Sequence, residues 1–296
     1  MTLEYGLLII AIIMIIIRNM KINCYDRADV MTTRFHNSKR IYTKKSKYQK
    51  IEVFKDKNLG HILSIDGDVQ LSEYDEINYH EMLVHVPMAY VKPTNVLIIG
   101  GGDGGTLREV CKYPDITNIV MVEIDHEVIN ASKRFFVNFR SAFADPRVTL
   151  KIMDAFKYLK EDNGILFDAV FIDVTDFNQS DSLFTQESIQ NLKLRMASDA
   201  VLGLNFTSVG IAEPKTPVRV LNESGFGERF KHKRLFQSHQ PVFTGGAYTF
   251  AFFSDSVDPL DFPSSFPVDD LELETHYYTS ALHKASFVLP KRLMSD

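Results

Sequence analysis

Apolar and polar positions follow two different patterns along the chain. From about residue 51, short alternating runs are separated by turn signals at Lys57-Asn58 and Asp66-Gly67, which predicts a small antiparallel meander. After residue 90, apolar runs such as "NVLIIG" alternate with helical runs such as "GTLREVCKY". Strand–helix alternation of this kind is typical of a mostly parallel, doubly wound sheet, so we predict the α/β class with a small N-terminal antiparallel β domain.

These patterns divide the chain into three parts. Residues 1–29 form a hydrophobic and basic segment, residues 30–74 the small β domain, and residues 75–296 the Rossmann-like domain. The large domain opens with "YDEINYHEMLVHVPMAY", whose apolar positions have helical spacing. Near its end, "RFKHKRLFQ" and "AYTFAFFS" predict an antiparallel edge to the sheet.

The N-terminal segment contains an uncharged run, "YGLLIIAIIMIII", at residues 5–17. It is shorter than the roughly 20 residues that span a bilayer, and its flanks, Glu4 before and Arg18 after, are not those of a cleavable signal peptide. Several interpretations stay open: membrane association with the rest of the chain in the cytoplasm, an upstream start codon, or a packed N-terminal strand or helix. In each case we predict a cytoplasmic protein.

Charge is distributed unevenly. Residues 18–57 contain 12 Lys and Arg against 4 Asp and Glu, a local charge of +8. Because the net charge of the chain is −5, the remaining residues together carry −13. A domain this acidic repels a phosphate backbone, which argues against nucleic acid and favours small cationic partners. Cys24 and Cys111 are too few for a disulfide framework or a metal site, and we predict no metal and no permanently bound cofactor.

Carboxylates follow four successive predicted strands. Ligands of doubly wound sheets bind outside the carboxyl ends of the strands, so these side chains are expected to face one crevice. The loops that carry them contain no Lys or Arg. The carboxylates are Asp103, Glu123, Asp125, Asp154, Asp173 and Asp176.

Some of these carboxylates fit a purely structural role, whereas others are better explained by binding or catalysis. Asp125 precedes a predicted helix and is best interpreted as its cap, and Asp154 fits a cap or a ligand equally well. Glu123 lies about 20 residues after the glycine-rich turn, where dinucleotide folds bind ribose hydroxyls. Asp103 stands among glycines with open access to a ligand. Asp173 closes an apolar strand, where a carboxylate is costly unless it is used.

Ribose binding by acids, without a phosphate partner, indicates a nucleoside that carries positive charge. The sulfonium cofactors fit, either S-adenosylmethionine or its decarboxylated form. A carboxylate at Asp103 would repel the methionine carboxylate of the first and attract the aminopropyl ammonium of the second. We therefore predict decarboxylated S-adenosylmethionine as co-substrate.

These residues stand in motifs that resemble those of a known enzyme family. The chain is similar to the polyamine aminopropyltransferases over about residues 46–290, in "SIDGDVQLSEYDEINYHEMLVHVP", "GGGDGGTLREV", "VEIDHEVI", "DPRVTL" and "YYTSALHKASFVLP". The resemblance implies a homodimer or homotetramer that transfers the aminopropyl group of decarboxylated S-adenosylmethionine to putrescine, giving spermidine and methylthioadenosine.

The resemblance also implies roles for individual residues, with Asp173 as the general base. The co-substrate would be bound by Gln49, His80, Asp103, Glu123, Asp154 and Ala155. Of these, Asp103 would bind the aminopropyl amine, Glu123 the ribose, and Asp154 with Ala155 the adenine edge. The diamine would be bound by Gln70, Tyr79, Asp103, Asp173 and Asp176.

The chain departs from the family pattern on the acceptor side. "DFNQSDSLF" lacks the prolines and glycine of the family's gate loop, Phe243 replaces a tyrosine, Leu204 stands where a glutamine is frequent, and the chain has no Trp. Alternatives therefore stay open: another acceptor such as cadaverine, agmatine or spermidine, a methyltransferase, or a non-catalytic regulatory homologue.

Overall fold

The computed structural model describes residues 23–25, 32–161, 164–175, 185–208, 217–223 and 225–294. Its N-terminal strands are β1 (Asn23–Tyr25), β2 (Thr32–Arg34), β3 (Lys39–Lys45), β4 (Lys50–Asp56), β5 (Gly60–Ile65) and β6 (Asp68–Ser72). β1 pairs antiparallel with β2, and β3 to β6 form an antiparallel meander in chain order. The predicted small β domain is confirmed as an antiparallel fold. The predicted division at residue 74 stays a prediction.

A second, larger sheet follows. Its strands are β7 (Asn95–Gly100), β8 (Asn118–Glu123), β9 (Val148–Ile152), β10 (Phe167–Asp173), β11 (Met196–Ser208), β12 (His232–His239) and β13 (Ala247–Ser254). They lie in the order β12-β13-β11-β10-β7-β8-β9. The five strands from β11 to β9 are parallel, and β13 is antiparallel to both β11 and β12. The mostly parallel sheet with an antiparallel edge is confirmed.

Helices cover both faces of this sheet. They are α1 (Glu76–Met88), α2 (Gly105–Cys111), α3 (His126–Phe135), α4 (Ala155–Lys160), α5 (Gln186–Leu194), α6 (Pro217–Glu223), α7 (Phe226–Arg229), α8 (Pro267–Asp270), α9 (Ser280–Ser286) and α10 (Lys291–Met294). Met82 and Leu83 of α1 pack on one face of the sheet, and Tyr158 and Ile189 pack on the other. Because the strands alternate their side chains, each face buries its own apolar core.

The small sheet is joined to the large domain through α3. Val128 and Ala131 of this helix are buried against Ile51, Val53 and Leu63 of the small sheet. The carboxylate of Asp125 caps the helix by accepting a hydrogen bond from the Glu127 N–H, as predicted. The apolar contact and the cap together fix the small sheet beside the carboxyl end of β8.

The C-terminal segment is attached to α1 by a buried carboxylate. Glu81 is fully buried, and its oxygens accept hydrogen bonds from three consecutive backbone N–H groups, those of His276, Tyr277 and Tyr278, at 2.7–2.8 Å. Charged acceptors of this kind form strong hydrogen bonds. The sequence analysis did not single out Glu81, whose three donors lie nearly 200 positions further along the chain.

Some expectations fall on residues that the structure does not describe. These include the uncharged run at residues 5–17, the altered loop at 177–182 and Asp176. Within the described ranges, no helix combines the length and the apolar character needed to cross a membrane.

Candidate active site

The glycine-rich turn after β7 lies directly against the end of β10. Gly100 has φ of +79°, and a Cβ atom there would lie 2.2 Å from the carbonyl oxygen of Asp173. That carbonyl accepts a hydrogen bond of 2.6 Å from the Gly101 N–H. Only glycine allows this approach without strain. The turn that carries Asp103 and the strand that carries Asp173 therefore meet, as the sequence analysis predicted.

Asp103 stands at one end of a line of alternating charges, of which the two middle members, Glu76 and His80, are buried. Its Oδ1 accepts a hydrogen bond from the Gly105 N–H at 2.7 Å and lies 3.3 Å from Nε2 of His80. Nδ1 of His80 lies 2.7 Å from Glu76, and Arg108 forms a two-pronged ion pair with Glu76 at 2.7 and 3.0 Å. The order is Arg108, Glu76, His80, Asp103, and every charge in this line has a partner of opposite sign.

The neighbouring charges in this line determine the protonation states of His80 and Asp103. Burial opposes a charge on His80, but Asp103 and Glu76 outweigh it and raise the pKa of His80 to about 10. Burial likewise raises the pKa of Asp103, but the His80 charge outweighs this effect and holds that pKa below its ordinary value. At neutral pH the pair is therefore imidazolium and carboxylate. His80, Asp103 and Asp173 place ligand-type atoms within 4.8 Å of one another, and a metal ion bound there would have to displace a proton from His80.

Asp173 has a different environment from Asp103. One oxygen accepts a hydrogen bond from the Tyr79 hydroxyl at 2.9 Å, and the other accepts one from the Thr106 hydroxyl at 2.6 Å. Both partners are neutral. Burial and the neighbouring charge of Asp103 raise the pKa of Asp173 to about 6. A buried carboxylate that is held by two hydroxyls and repelled by a second carboxylate is suited to exchange a proton near neutral pH.

Aromatic rings form the wall next to Asp173. Tyr79 packs against Tyr248 and Phe250 with ring centres 5.3 and 5.0 Å apart, and Phe243 lies 6.4 Å from Tyr79 and 5.5 Å from Tyr248. Phe243 is half-buried and also touches the core of the small β sheet. The position at which the sequence lacks a hydroxyl is therefore part of this wall.

A side-chain amide, that of Asn205, lies one residue after Leu204, the position at which the family frequently has a glutamine. Leu204 is buried in the core on the opposite face of the sheet, so it does not point toward Asp173. Its neighbour Asn205 exchanges two hydrogen bonds with the backbone of Val174, of 2.7 and 3.2 Å, and donates one of 3.3 Å to the Tyr248 hydroxyl. Because strand side chains alternate, a shift of one position changes the face.

Glu123 lies at the end of β8, next to the glycine-rich turn. A Cβ atom on Gly102 would lie 2.7 Å from its Oε2, and its Oε1 accepts a hydrogen bond from the Asp125 N–H at 2.8 Å. Burial, together with repulsion from Asp125 and Asp103, raises the pKa of Glu123 to about 7. Asp103, Glu123 and Asp173 are therefore close enough to influence one another electrostatically.

The turn between β3 and β4 also reaches this edge of the sheet. The amide of Gln49 donates a hydrogen bond of 3.1 Å to Oδ2 of Asp125, and the Ser46 hydroxyl donates one of 2.6 Å to the same oxygen. Asp125, which lies two residues after Glu123, thereby holds Gln49 of the small sheet near the carboxyl end of β8. Sequence analysis gave Asp125 only the role of a helix cap.

The remaining predicted residues are less closely joined to this group. Asp154 caps α4 by accepting a hydrogen bond of 2.8 Å from the Phe156 N–H, and Ala155 begins that helix. Both follow β9, the neighbour of β8. Gln70 donates to the Asp68 carbonyl on its own strand, and among the described residues no hydrogen bond links it to the carboxylates.

Sequence reasoning missed four contributors to the site: Glu76, Arg108, Thr106 and Asn205. The first three stand in the quoted motifs "YDEINYHEM" and "GGGDGGTLREV". Glu76 lies one helical turn before His80, a spacing that predicts an interaction. Nothing in the sequence showed that Arg108 would reach Glu76, because that contact depends on how α1 and α2 pack.

Comparison with known proteins identifies the class. The family model for the spermine/spermidine synthase domain matches residues 76–260, and the model for the spermidine synthase tetramerisation domain matches residues 33–73. The chain therefore belongs to the spermine/spermidine synthase family of aminopropyltransferases. This confirms the family that the motifs predicted.

Individual relatives agree with this class. The polyamine aminopropyltransferase of Clostridium perfringens strain SM101 is 36% identical over 253 residues, covering 84% of this chain and 88% of the relative. That of Alkaliphilus oremlandii is 34% identical over 252 residues, with the same coverage. A spermidine synthase crystallised with the transition-state analogue AdoDATO superposes with a TM-score of 0.82 at 30% identity, covering 92% of this chain and 93% of that one. Spermidine synthase from Thermotoga maritima gives 0.79 at 30% identity, with 92% of both chains covered.

Proposed function

We propose that this protein transfers the aminopropyl group of decarboxylated S-adenosylmethionine to putrescine, giving spermidine and methylthioadenosine. One observation carries the proposal: two neighbouring carboxylates have different partners, the His80 imidazole for Asp103 and two hydroxyls for Asp173. Asp103 is paired with a cation and its pKa is lowered, whereas Asp173 is held by hydroxyls and its pKa is raised to about 6. Carboxylates whose pKa values are pushed apart take different roles in one reaction.

Asp103 is the anchor for the ammonium of the aminopropyl group. Asp103 stays ionised because its partner His80, whose pKa is raised to about 10, is protonated at neutral pH. The side chain of Asp103 is 17% exposed and can therefore be reached by a ligand. At near contact and an effective dielectric of about 20, a pair of unit charges interacts by about 4 kcal/mol before desolvation. The same carboxylate would repel the carboxylate of S-adenosylmethionine, which disfavours the methyltransferase alternative.

Asp173 is the general base. An alkylammonium has a pKa close to that of lysine, about 10.4, so the acceptor amine enters protonated. Asp173 removes one proton, and the freed lone pair attacks the methylene carbon bonded to sulfur. The N–C bond forms as the C–S bond breaks, and the electron pair of that bond returns to sulfur. Methylthioadenosine leaves uncharged and one proton is released overall.

Alignment provides most of the remaining rate enhancement, because sulfonium is already a good leaving group. Tyr79 and Thr106 fix both oxygens of Asp173, so the base has one orientation. The wall of Tyr79, Tyr248 and Phe243 is suited to the carbon chain of a diamine. Asp176 and Gln70 are proposed to bind the second amine of the diamine, the one that does not react, as the resemblance to the family implies.

The nucleoside is proposed to lie along the ends of β8 and β9. Glu123 would bind the ribose hydroxyls, and Asp154 with Ala155 would bind the adenine edge. Gln49 would contact the nucleoside from the small sheet, since its amide nitrogen is already bound to Asp125 and its carbonyl oxygen is left for the ligand. The solved neighbour with a bound transition-state analogue supports a ligand of this type.

A direct assay tests the reaction. The purified protein is supplied with decarboxylated S-adenosylmethionine and with putrescine, cadaverine, agmatine or spermidine in turn, and release of methylthioadenosine is measured. Turnover with putrescine above the other amines is expected. Turnover only with another amine would replace the acceptor, and binding of methylthioadenosine without turnover would favour the non-catalytic alternative. S-adenosylmethionine as donor is the control and is expected to give no product.

We also propose a homo-oligomer, because residues 33–73 match a tetramerisation domain. Light scattering coupled to size-exclusion chromatography measures the mass directly. A mass near 33.8 kDa, that of one chain, would contradict the proposal.

A further inference from the structure

The turn between β3 and β4 is organised around a single hydroxyl. Oγ of Ser46 accepts hydrogen bonds from the backbone N–H groups of Tyr48 and Gln49 at 3.0 and 3.1 Å. Its own proton has two acceptors in range, Oδ2 of Asp125 at 2.6 Å and the Gln49 carbonyl oxygen at 3.2 Å, and the shorter distance assigns it to the charged carboxylate. A serine hydroxyl offers one donor and two acceptor lone pairs. All three are used, so the shape of the turn and its attachment to the large domain depend on the same atom.

Asp125 divides its two oxygens between two tasks. Oδ1 accepts from the Glu127 N–H and caps α3, whereas the donors to Oδ2 within the described ranges are Ser46 and Gln49, both from the turn of the small sheet. A helix cap needs one acceptor. The second oxygen is therefore not explained by the cap. Asp125 is also almost fully buried, so these hydrogen bonds are shielded from water.

The backbone of Asp125 continues this arrangement to the nucleoside side. Its N–H donates to Oε1 of Glu123, the carboxylate proposed to bind ribose. A continuous path of hydrogen bonds thus runs from Ser46 through Asp125 to Glu123, and Gln49 joins it at Asp125. The exposed tip residues of the turn, Lys47 and Tyr48, point outward from this path.

We infer that the contact of Ser46 with Asp125 sets the position of Gln49 relative to Glu123, and thereby the affinity of the site for the nucleoside. Ser46 and Asp125 are positioning residues in this view, since they act through Gln49 and Glu123. The inference rests on the proposed function for its ligand, but its structural part concerns the free protein alone.

Two variants separate this contact from the helix cap. Ser46→Ala removes the donor and leaves Asp125 and its cap intact. Asp125→Ser keeps a good capping residue but lacks the second oxygen. Thr43→Ala is the matched control, because it removes an exposed hydroxyl from the same hairpin at a position in β3 away from Asp125. Circular dichroism confirms that each variant is folded.

Calorimetric titration with methylthioadenosine measures the effect. Each of the two variants is expected to bind about tenfold more weakly, a change on the scale of a hydrogen bond to a charged group. The double variant is expected to lose less than the sum of the two single variants, because each single variant already breaks the Ser46–Asp125 hydrogen bond. Hydrogen exchange of residues 46–49 should be faster in both variants and unchanged in Thr43→Ala. Additive losses, or affinity and exchange equal to those of the wild type, would overturn the inference.

Failure of the proposed function would give a different result. In that case the wild-type protein would neither bind methylthioadenosine nor release it from decarboxylated S-adenosylmethionine. Hydrogen exchange in the free protein would then decide the structural part alone. Asp125→Ser leaves Ser46 Oγ in place as the acceptor for the Tyr48 and Gln49 N–H groups, so faster exchange at residues 46–49 in this variant supports the contact, and unchanged exchange contradicts it.

Discussion

The two halves of the candidate site contain similar acids in dissimilar surroundings. On the proposed donor half, Asp103 is paired with the His80 cation, which is itself held by Glu76 and Arg108. On the proposed acceptor half, the hydrogen-bond donors to Asp173 in the part of the chain that the structure describes are the neutral hydroxyls of Tyr79 and Thr106. The two carboxylates lie within a few ångströms of each other, so their partners account for the difference in behaviour.

This comparison shows how one edge of a sheet supports binding and proton transfer at once. A carboxylate with a fixed cationic partner keeps its charge and serves as an anchor. A carboxylate with neutral donors and a charged neighbour has a raised pKa and can accept a proton. Burial is shared by both, so burial alone does not assign a role.

Replacement of the base should have the largest effect. Asp173→Asn is expected to lower kcat by about 100-fold or more, since general base catalysis contributes on this scale. Affinity for methylthioadenosine should stay near that of the wild type, because Asp173 is not on the nucleoside side. Steady-state kinetics and calorimetry measure the two quantities. Turnover close to that of the wild type would remove Asp173 from the base role.

Replacement of the anchor should affect discrimination between donors. Asp103→Asn is expected to reduce the preference for decarboxylated S-adenosylmethionine over S-adenosylmethionine by about tenfold or more, because a nearby unit charge is lost. Paired binding titrations with the two nucleosides measure the ratio. Asp115→Asn removes an equal charge from an exposed turn and is the control. An unchanged ratio in Asp103→Asn would show that discrimination arises elsewhere.

The pH dependence should follow Asp173. Its pKa of about 6 lies above the ordinary value, so the base is ionised above pH 6 and becomes protonated below it. We expect kcat/KM to fall about tenfold per pH unit below this value. Thr106→Val removes a hydrogen bond that lowers this pKa, and its acid limb should therefore move to higher pH. An acid limb at the same pH in both proteins would assign it to another group.

The smallest change is expected at the aromatic wall. Phe243→Tyr adds a hydroxyl beside Tyr79 and Tyr248, and should lower the KM for putrescine by about threefold, the scale of one neutral hydrogen bond. The KM for the donor should stay constant, since Phe243 lies on the acceptor half. A change confined to the donor KM would contradict the division of the site into two halves.

The sequence was sufficient to predict the elements and much of the site. Alternation of strands and helices gave the parallel sheet, and because parallel strands end at one edge, it also placed Asp103, Glu123 and Asp173 together. Local rules gave the Asp125 cap. Partners from distant segments could not be read in the same way: Arg108 reaches Glu76 only through the packing of α1 on α2, and Ser46 reaches Asp125 across two sheets.

The hydrophobic pattern also could not predict on which face of the sheet a given side chain of a buried strand lies. A buried strand is apolar on both faces, so its composition does not tell which of two adjacent residues faces the ligand. The comparison at Leu204 therefore missed Asn205, one residue on, which lies beside Val174 and Tyr248.

The attachment of Glu81 to the segment at 276–278 has a consequence for the proposed chemistry. Tyr79 and His80 precede Glu81 directly on α1, so the helix that carries both side chains is tied to a segment nearly 200 residues further along the chain. During synthesis, Glu81 has none of these three donors until residues 276–278 have left the ribosome. Catalytic competence is thus expected to arise only after that segment has folded onto α1.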